Sequence, residues 1–243
     1  MNRRTRYTIQ GHEVTIPVEV RDASASMASF LVPAAAAQDL IASSGLDVAE
    51  PLPGRAVCSL AFMRYLDGDL GPYHEFAVAF LVRHKGMEPA SALTKSAEIA
   101  RGFIGAFIHE LPVNQEFTLE AGRGIWGFPK FLADIDIDSS RRVARCDLRH
   151  DGEHVLSLSI RRGVTIPARG SSVDAYSSAD RVLRRTAWSM EPTGVRGRPG
   201  GADLTLGDHP IAKELRSLGL PRRATFSSTI DHMRMHFQAP DEL

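Results

Sequence analysis

Cysteine is scarce: Cys58 and Cys146 are the only two in 243 residues, too few for a disulfide-built scaffold, and nothing near either has metal-ligand spacing. Charge of one sign is also missing. Lys plus Arg and Asp plus Glu both number 29, so no net field draws the chain to nucleic acid or to an anionic membrane. No apolar run approaches the roughly 18 residues of a helical membrane span. The cations Arg3, Arg4 and Arg6 lead into a mixed stretch from Tyr7 to Arg21, so no secretory signal is expected. Gly-x-Gly-x-x-Gly and the phosphate-binding lysine loop are absent. The histidines at 12, 74, 84, 109, 150, 154, 209, 232 and 236 are scattered. His150 and His154 flank an Asp151-Gly152 turn, and His232 and His236 lie in a strand-like tail, so neither pair offers the helical spacing of a zinc site. The expectation is a cytoplasmic protein with no metal or other cofactor and no nucleic-acid or membrane partner.

What is present is ordinary for a globular chain: 43% apolar and 24% charged residues, enough for one sizeable core. His12 to Val20 reads as a strand interrupted near Pro17. Ala34 to Ser43 suits a short helix with Pro33 near its start. Arg55 to Tyr65 and Tyr73 to Arg83 read as strands, the second a central one, with Tyr73 and Glu75 on one face and His74 and Phe76 on the other. Ile99, Phe103 and Phe107, spaced by four, predict a helix over Ser96 to Leu111 that stops at Pro112. Gly122 to Pro129 reads as turn-rich. Phe131 to Ile137, Arg142 to Arg149 and His154 to Arg161 follow as strands, the last two joined at Asp151-Gly152. Val164 to Ala168 adds a short strand, Val182 to Thr205 strand pieces joined by loops, Pro210 to Leu218 a short helix, and Ala224 to Phe237 a strand. No repeat, linker or shift of composition divides residues 1–243, so the expectation is one α+β domain, mainly antiparallel sheet with a few packed helices, open to a cone-like or closed barrel.

One residue breaks the local pattern. Lys130 stands in Gly122-Arg123-Gly124-Ile125-Trp126-Gly127-Phe128-Pro129-Lys130-Phe131-Leu132, a cation among aromatic and aliphatic neighbours. Burial disfavours ammonium, and a free amine adds to ketones to form a Schiff base. The plainer alternative is a stem that covers Trp126 while its amine reaches water. Pro129 fixes its own φ and restricts Phe128, so the approach to the lysine is stiff. Glu75, between Tyr73 and the strand's apolar run, is a costly place for a carboxylate unless it is paired or protonated. It is the candidate proton relay, or else a carboxylate at an exposed strand end.

These residues resemble the acetoacetate decarboxylase family, whose signature runs Gly-Arg-Glu, three variable residues, aromatic-Pro-Lys. The resemblance implies that Lys130 is the Schiff-base residue. Tyr73-His74-Glu75 resembles the family's aromatic-spacer-Glu, which implies a catalytic Glu75. It further implies a largely antiparallel β cone or barrel around a deep cavity, a keto-acid substrate, and self-association into a homo-oligomer. Two departures stand out. The family usually carries a second lysine directly after the first, and activation of lysine by a neighbouring cation is a known mechanism of acetoacetate decarboxylase; here that position is Phe131. The Glu of Gly-Arg-Glu is Gly124, which removes a carboxylate expected near the pocket.

The expected chemistry is decarboxylation of a β-keto acid, acetoacetate-like or bulkier, through Lys130 with Glu75 assisting proton transfer. Trp126, Phe128, Phe131 and Tyr73 are the expected pocket walls. Arg123, Arg21 and Arg64 are the candidate carboxylate anchors, with Arg123 alternatively bracing its loop. Two other readings remain at this point: aldol condensation with dehydration through the same imine, and a non-catalytic small-molecule binding protein.

Overall fold

A computed structural model describes residues 5–83 and 104–243. The hairpin β1 (Thr5–Ile9) and β2 (His12–Ile16) comes first, and Pro17 separates it from the long β3 (Val18–Pro33). Pro33 leads into α1 (Ala34–Ile41) and a 3-10 turn that ends at Gly45. Then come β4 (Arg55–Gly68), β5 (Tyr73–Arg83), β6 (Ile104–Val113), α2 (Glu116–Trp126) and β7 (Lys130–Leu132). The second half holds β8 (Asp134–Ser139), β9 (Val143–His150), β10 (Glu153–Arg161), β11 (Val164–Thr165), β12 (Ser171–Ala179) and β13 (Val182–Thr193). It finishes with β14 (Arg196–Pro199), β15 (Ala202–Leu206), α3 (Pro210–Ser217) and β16 (Phe226–Glu242).

The sheet closes. Strands β3, β4, β5, β6, β12, β13 and β16 pair in that order, and β16 returns to β3 in antiparallel register from Phe226↔Ser29 to Phe237↔Val18. The result is a seven-stranded barrel, mixed because β12 runs parallel to β6. Closure leaves the seven strands without an unpaired edge along the ring. A four-stranded antiparallel sheet, β8-β9-β10-β15, stands beside the barrel.

Strand alternation divides the apolar residues into two cores. Leu60 and Phe62 of β4 and Phe76, Val78 and Phe80 of β5 face outward, packing with Leu148, Leu156 and Leu158 of the four-stranded sheet. The opposite parity, Tyr65, Tyr73, Ala77, Leu111 and Val113, faces inward and meets Trp126, Phe128, Met235 and Phe237. At Asp151-Gly152 both residues have positive φ, as a two-residue hairpin turn requires.

Two local expectations fail. Ile104 to Leu111 belongs to strand β6, not to a helix, and Pro112 lies within that strand; the rest of the expected helix, residues 96–103, lies outside the described residues. A central strand buries both faces, as Phe107 and Ile108 do here, and such a run resembles one side of a helix at short range. Conversely, most of the glycine-rich segment at 122–129 is the second half of helix α2. Glycine in a helix costs about 1 kcal/mol relative to alanine, and the reason for it at 122 emerges at the site.

On the outer face, a bulge between Val78 and Ala79 puts the register of β6 out by one, so that His109 and Glu110 both reach toward α3. His109 Nε2 lies 2.7 Å from Glu214 Oε1. Burial opposes a charged imidazole there, but the hydrogen bond and charge of Glu214, with Glu110 nearby, raise its pKa above 6.5. A raised histidine pKa gives stability that is complete below about pH 6.5 and is lost as pH rises through the native value. Thermal melts from pH 6 to 9 are expected to show the wild type losing about 1 kcal/mol relative to His109→Gln across that window; a constant difference would show that the pair has no linked stability.

Candidate active site

The inner end of β4 and β5 and the helix–turn–strand unit α2-β7 bring the polar residues together. Gln115 caps α2, its side-chain oxygen accepting from Thr118 N at 2.8 Å. The helix ends at Gly127, in the left-handed region at φ +65, with Gly127 N donating to Arg123 O and Phe128 N to Gly122 O, both at 3.1 Å. Ser177 Oγ donates to Trp126 O at 2.7 Å, and Lys130 N donates back to Phe128 O at 2.7 Å. The chain therefore turns within three residues from helix into β7, which runs parallel to β6 with Leu111↔Lys130 in register.

This turn delivers the Lys130 side chain into the barrel. Its Nζ lies 2.8 Å from Glu75 Oε2, and both side chains are only 4% exposed. Nζ also donates to Thr118 Oγ1 at 3.1 Å and stands 5.1 Å from the centre of the Tyr73 ring. Tyr65 donates its hydroxyl to the other carboxylate oxygen, Glu75 Oε1, at 2.9 Å, and stacks on Tyr73 with ring centroids 4.2 Å apart. Burial first and the Glu75 charge second push the pKa of both phenols well above the usual tyrosine value. Burial thus favours the neutral phenol at Tyr65, which donates its hydroxyl to Glu75.

Gly122 explains the helical glycine. A Cβ there would sit 2.4 Å from Lys130 Cδ and 2.6 Å from Cε. The lysine stem lies directly against the helix backbone, and only hydrogen leaves it room.

Around the pair, Leu70, Leu111, Trp126, Phe128, Trp188 and Phe237 complete a cavity with free volume of about 20 Å3, the room of a single water. Trp126, Phe128, Trp188 and Phe237 form one aromatic cluster, joined by centroid distances of 5.4 to 6.1 Å. Trp126 is anchored by Nε1 donating to Gln238 O at 2.8 Å.

Of the residues singled out by sequence, Lys130, Glu75, Tyr73, Trp126 and Phe128 meet here. The others do not. Arg123 is directed along the loop, its Nε donating to Lys130 O at 2.6 Å. Arg21 is bound to Asp67 at 2.7 Å and Asp69 at 2.8 Å on the surface. Arg64 pairs in register with His74, on the face opposite Tyr65 and Tyr73. Phe131 points away from Lys130 by strand alternation and packs on His150 at 4.8 Å. Gly124 is exposed on α2, where a Cβ would touch only Ile9, so a carboxylate at this position would not enter the cavity. Tyr65, Thr118 and Trp188 carry no site role in the sequence reading, and Gly122 reads there only as a turn glycine. Of the three, Tyr65 alone had a signal, being the direct register partner of Tyr73 across the hairpin. Among the described residues, the donor atoms of His109, Glu110 and Glu214 are close enough for a metal ion, but they lie on the outer face, with His109 and Glu214 bonded to each other.

A family model described as acetoacetate decarboxylase (ADC) matches residues 4–238. Among solved structures, acetoacetate decarboxylase from Legionella pneumophila subsp. pneumophila str. Philadelphia 1 is similar at a TM-score of 0.66 and 16% identity, over 93% of this chain and 87% of that one. The enduracididine biosynthesis enzyme MppR complexed with pyruvate gives a TM-score of 0.69 at 14% identity, over 98% and 97% of the two chains. An acetoacetate decarboxylase-like enzyme from Sphingomonas wittichii RW1 gives 0.58 at 15% identity, over 98% and 97%. No curated protein sequence matches. At these identities the structural likeness establishes the fold.

The buried pair and the glycine predict two stability effects. Removing one partner of a buried ion pair strands the other charge, so Lys130→Met and Glu75→Gln are each expected to cost about 3–5 kcal/mol, and the double variant less than their sum; denaturant melts in a double-mutant cycle check this. Gly122→Ala is expected to cost about 1–3 kcal/mol by displacing the lysine, despite alanine's better helix propensity. A neutral or stabilising result would show that the stem has another place to lie.

Proposed function

Because this chain belongs to the acetoacetate decarboxylase family, we propose that it is a Schiff-base decarboxylase of a β-keto acid, with Lys130 as nucleophile and Glu75 as proton relay. The observation that carries this reading is the 2.8 Å contact between a buried amine and a buried carboxylate inside an apolar cavity. Passing a proton from Nζ to Glu75 frees the nitrogen lone pair, while Thr118 and Tyr65 hold the two partners in place.

Lys130 Nζ attacks the ketone carbon, and the ketone oxygen leaves as water with protons relayed by Glu75. The product is a protonated imine. The bond to the carboxylate then breaks, its electron pair moves into the imine to give an enamine, and carbon dioxide departs. A proton returns to carbon through Glu75, and water hydrolyses the imine to release the ketone and restore Lys130. Trp126, Phe128 and Phe237 exclude water, which favours loss of charge from the carboxylate. The free volume is smaller than any keto acid, so these walls must move apart on binding.

A second reading has its own support. The fold is also that of MppR, whose structure is known with the condensation product of pyruvate and imidazole 4-carboxaldehyde. The same imine on pyruvate would lead to an enamine that attacks an aldehyde and loses water. Here no carbon dioxide forms.

Borohydride trapping with acetoacetate and with pyruvate, read by intact mass while carbon dioxide is followed, tests both. An adduct on the wild type that is absent from Lys130→Ala is expected, with carbon dioxide released from acetoacetate. Glu75→Gln is expected to lower turnover about 100-fold or more. An adduct without gas selects condensation. No adduct across a panel of keto acids would overturn the mechanism and leave a binding protein.

A further inference from the structure

Trp188 carries a polar atom with no internal use. Its Nε1 is buried and has no hydrogen-bond partner among the described residues. The chain's other tryptophan differs, since Trp126 Nε1 donates to Gln238 O. A buried indole N–H ordinarily finds an acceptor, and leaving it unpaired is destabilising. Other buried side-chain atoms, such as Thr186 Oγ1 and Arg64 Nε, are also unpaired, but Trp188 alone of these residues lines the Lys130 cavity, and its donor therefore points to a ligand acceptor.

Its position fits that role. Trp188 lines the same cavity as Lys130 and Glu75. Phe128, at 5.7 Å between centroids, and Phe237, at 5.4 Å, hold its ring in place. The other polar side chains there already have partners: Tyr65 donates to Glu75, Glu75 binds Lys130, Lys130 donates to Thr118, and Tyr73 is hydrogen-bonded with Thr118 and Tyr65. Arg21, Arg64 and Arg123 are outside the lining, so among the described residues no guanidinium awaits a carboxylate in this cavity.

We propose that Trp188 Nε1–H donates to the carboxylate of a monocarboxylic keto acid whose ketone carbon is joined to Lys130. The assignment rests on the Schiff-base reading above. Once the ketone oxygen has left as water, the carboxylate is the acceptor remaining on the adduct. A neutral donor orients it without the attraction of a guanidinium, so its charge remains free to flow into the imine as the carbon–carbon bond breaks. The same reasoning selects the substrate class: one carboxylate, with an apolar remainder that packs against Leu70, Leu111 and Phe237, and not a dicarboxylate.

With two tryptophans the chain gives two indole 1H–15N resonances, and Trp188→Phe assigns them while keeping an aromatic ring in place. Pyruvate and acetoacetate are expected to move the Trp188 resonance saturably and leave that of Trp126. In borohydride trapping, Trp188→Phe is expected to raise the half-saturating concentration of both keto acids about tenfold or more, and to leave that of acetone unchanged. Equal weakening of acetone and the keto acids, no weakening of the keto acids, or adducts that leave the Trp188 resonance unmoved would overturn the assignment. If the wild type forms no adduct, the Schiff-base reading fails and takes the assignment with it; if adducts form while the Trp188 resonance stays unmoved, the assignment alone fails.

Discussion

An amine and a carboxylate held 2.8 Å apart inside a protein need a structure that excludes water without leaving either charge unanswered. Much of the architecture meets that need. Closing the barrel through β16 and β3 gives Lys130 and Glu75 a dry interior. Tyr65 and Thr118 then add one hydrogen bond on either side of the pair. If the barrel were open along that seam, the pair would be solvated and lose the environment that distinguishes it from a surface salt bridge.

The lysine is positioned locally, within a few residues of sequence. Gly122 clears its stem, Gly127 ends the helix, Phe128 accepts its backbone N–H, and Arg123 binds its carbonyl. The short β7 then joins this unit to β6 by parallel pairing. Arg123, an anchor candidate by charge alone, thus acts on the backbone of Lys130 and not on the cavity.

This explains how much was legible in the sequence. The stiff Pro129 approach, the misplaced cation at Lys130, the awkward carboxylate at Glu75 and the period-two pattern of β5 are local, and each pointed to its role in the fold. Closure was not legible in periodicity, because register between β3 and β16 joins residues about 200 positions apart; the barrel was implied by the family resemblance. The glycines at 122, 124 and 127 looked like loop signals because helix propensity has no knowledge of a lysine stem lying against the helix. The β6 segment misled for the opposite reason: burial on both strand faces erased the alternation that separates strand from helix. Arg21, Arg64 and Phe131 were judged by chemistry, whereas strand parity and surface carboxylates decide where they point.

The cavity takes its buried polar pair and part of its wall from different stretches of the chain. Lys130, Glu75, Tyr65, Tyr73 and Thr118 come from the first 130 residues, while Trp188 on β13 and Phe237 on β16 come from the last 60. Substitutions on the two late strands can reshape the walls without disturbing the glycine-cleared lysine or its carboxylate. Such an arrangement lets descendants of one ancestor change their cavity walls while inheriting the buried lysine and carboxylate intact, and wide sequence divergence on a common barrel is the outcome it favours.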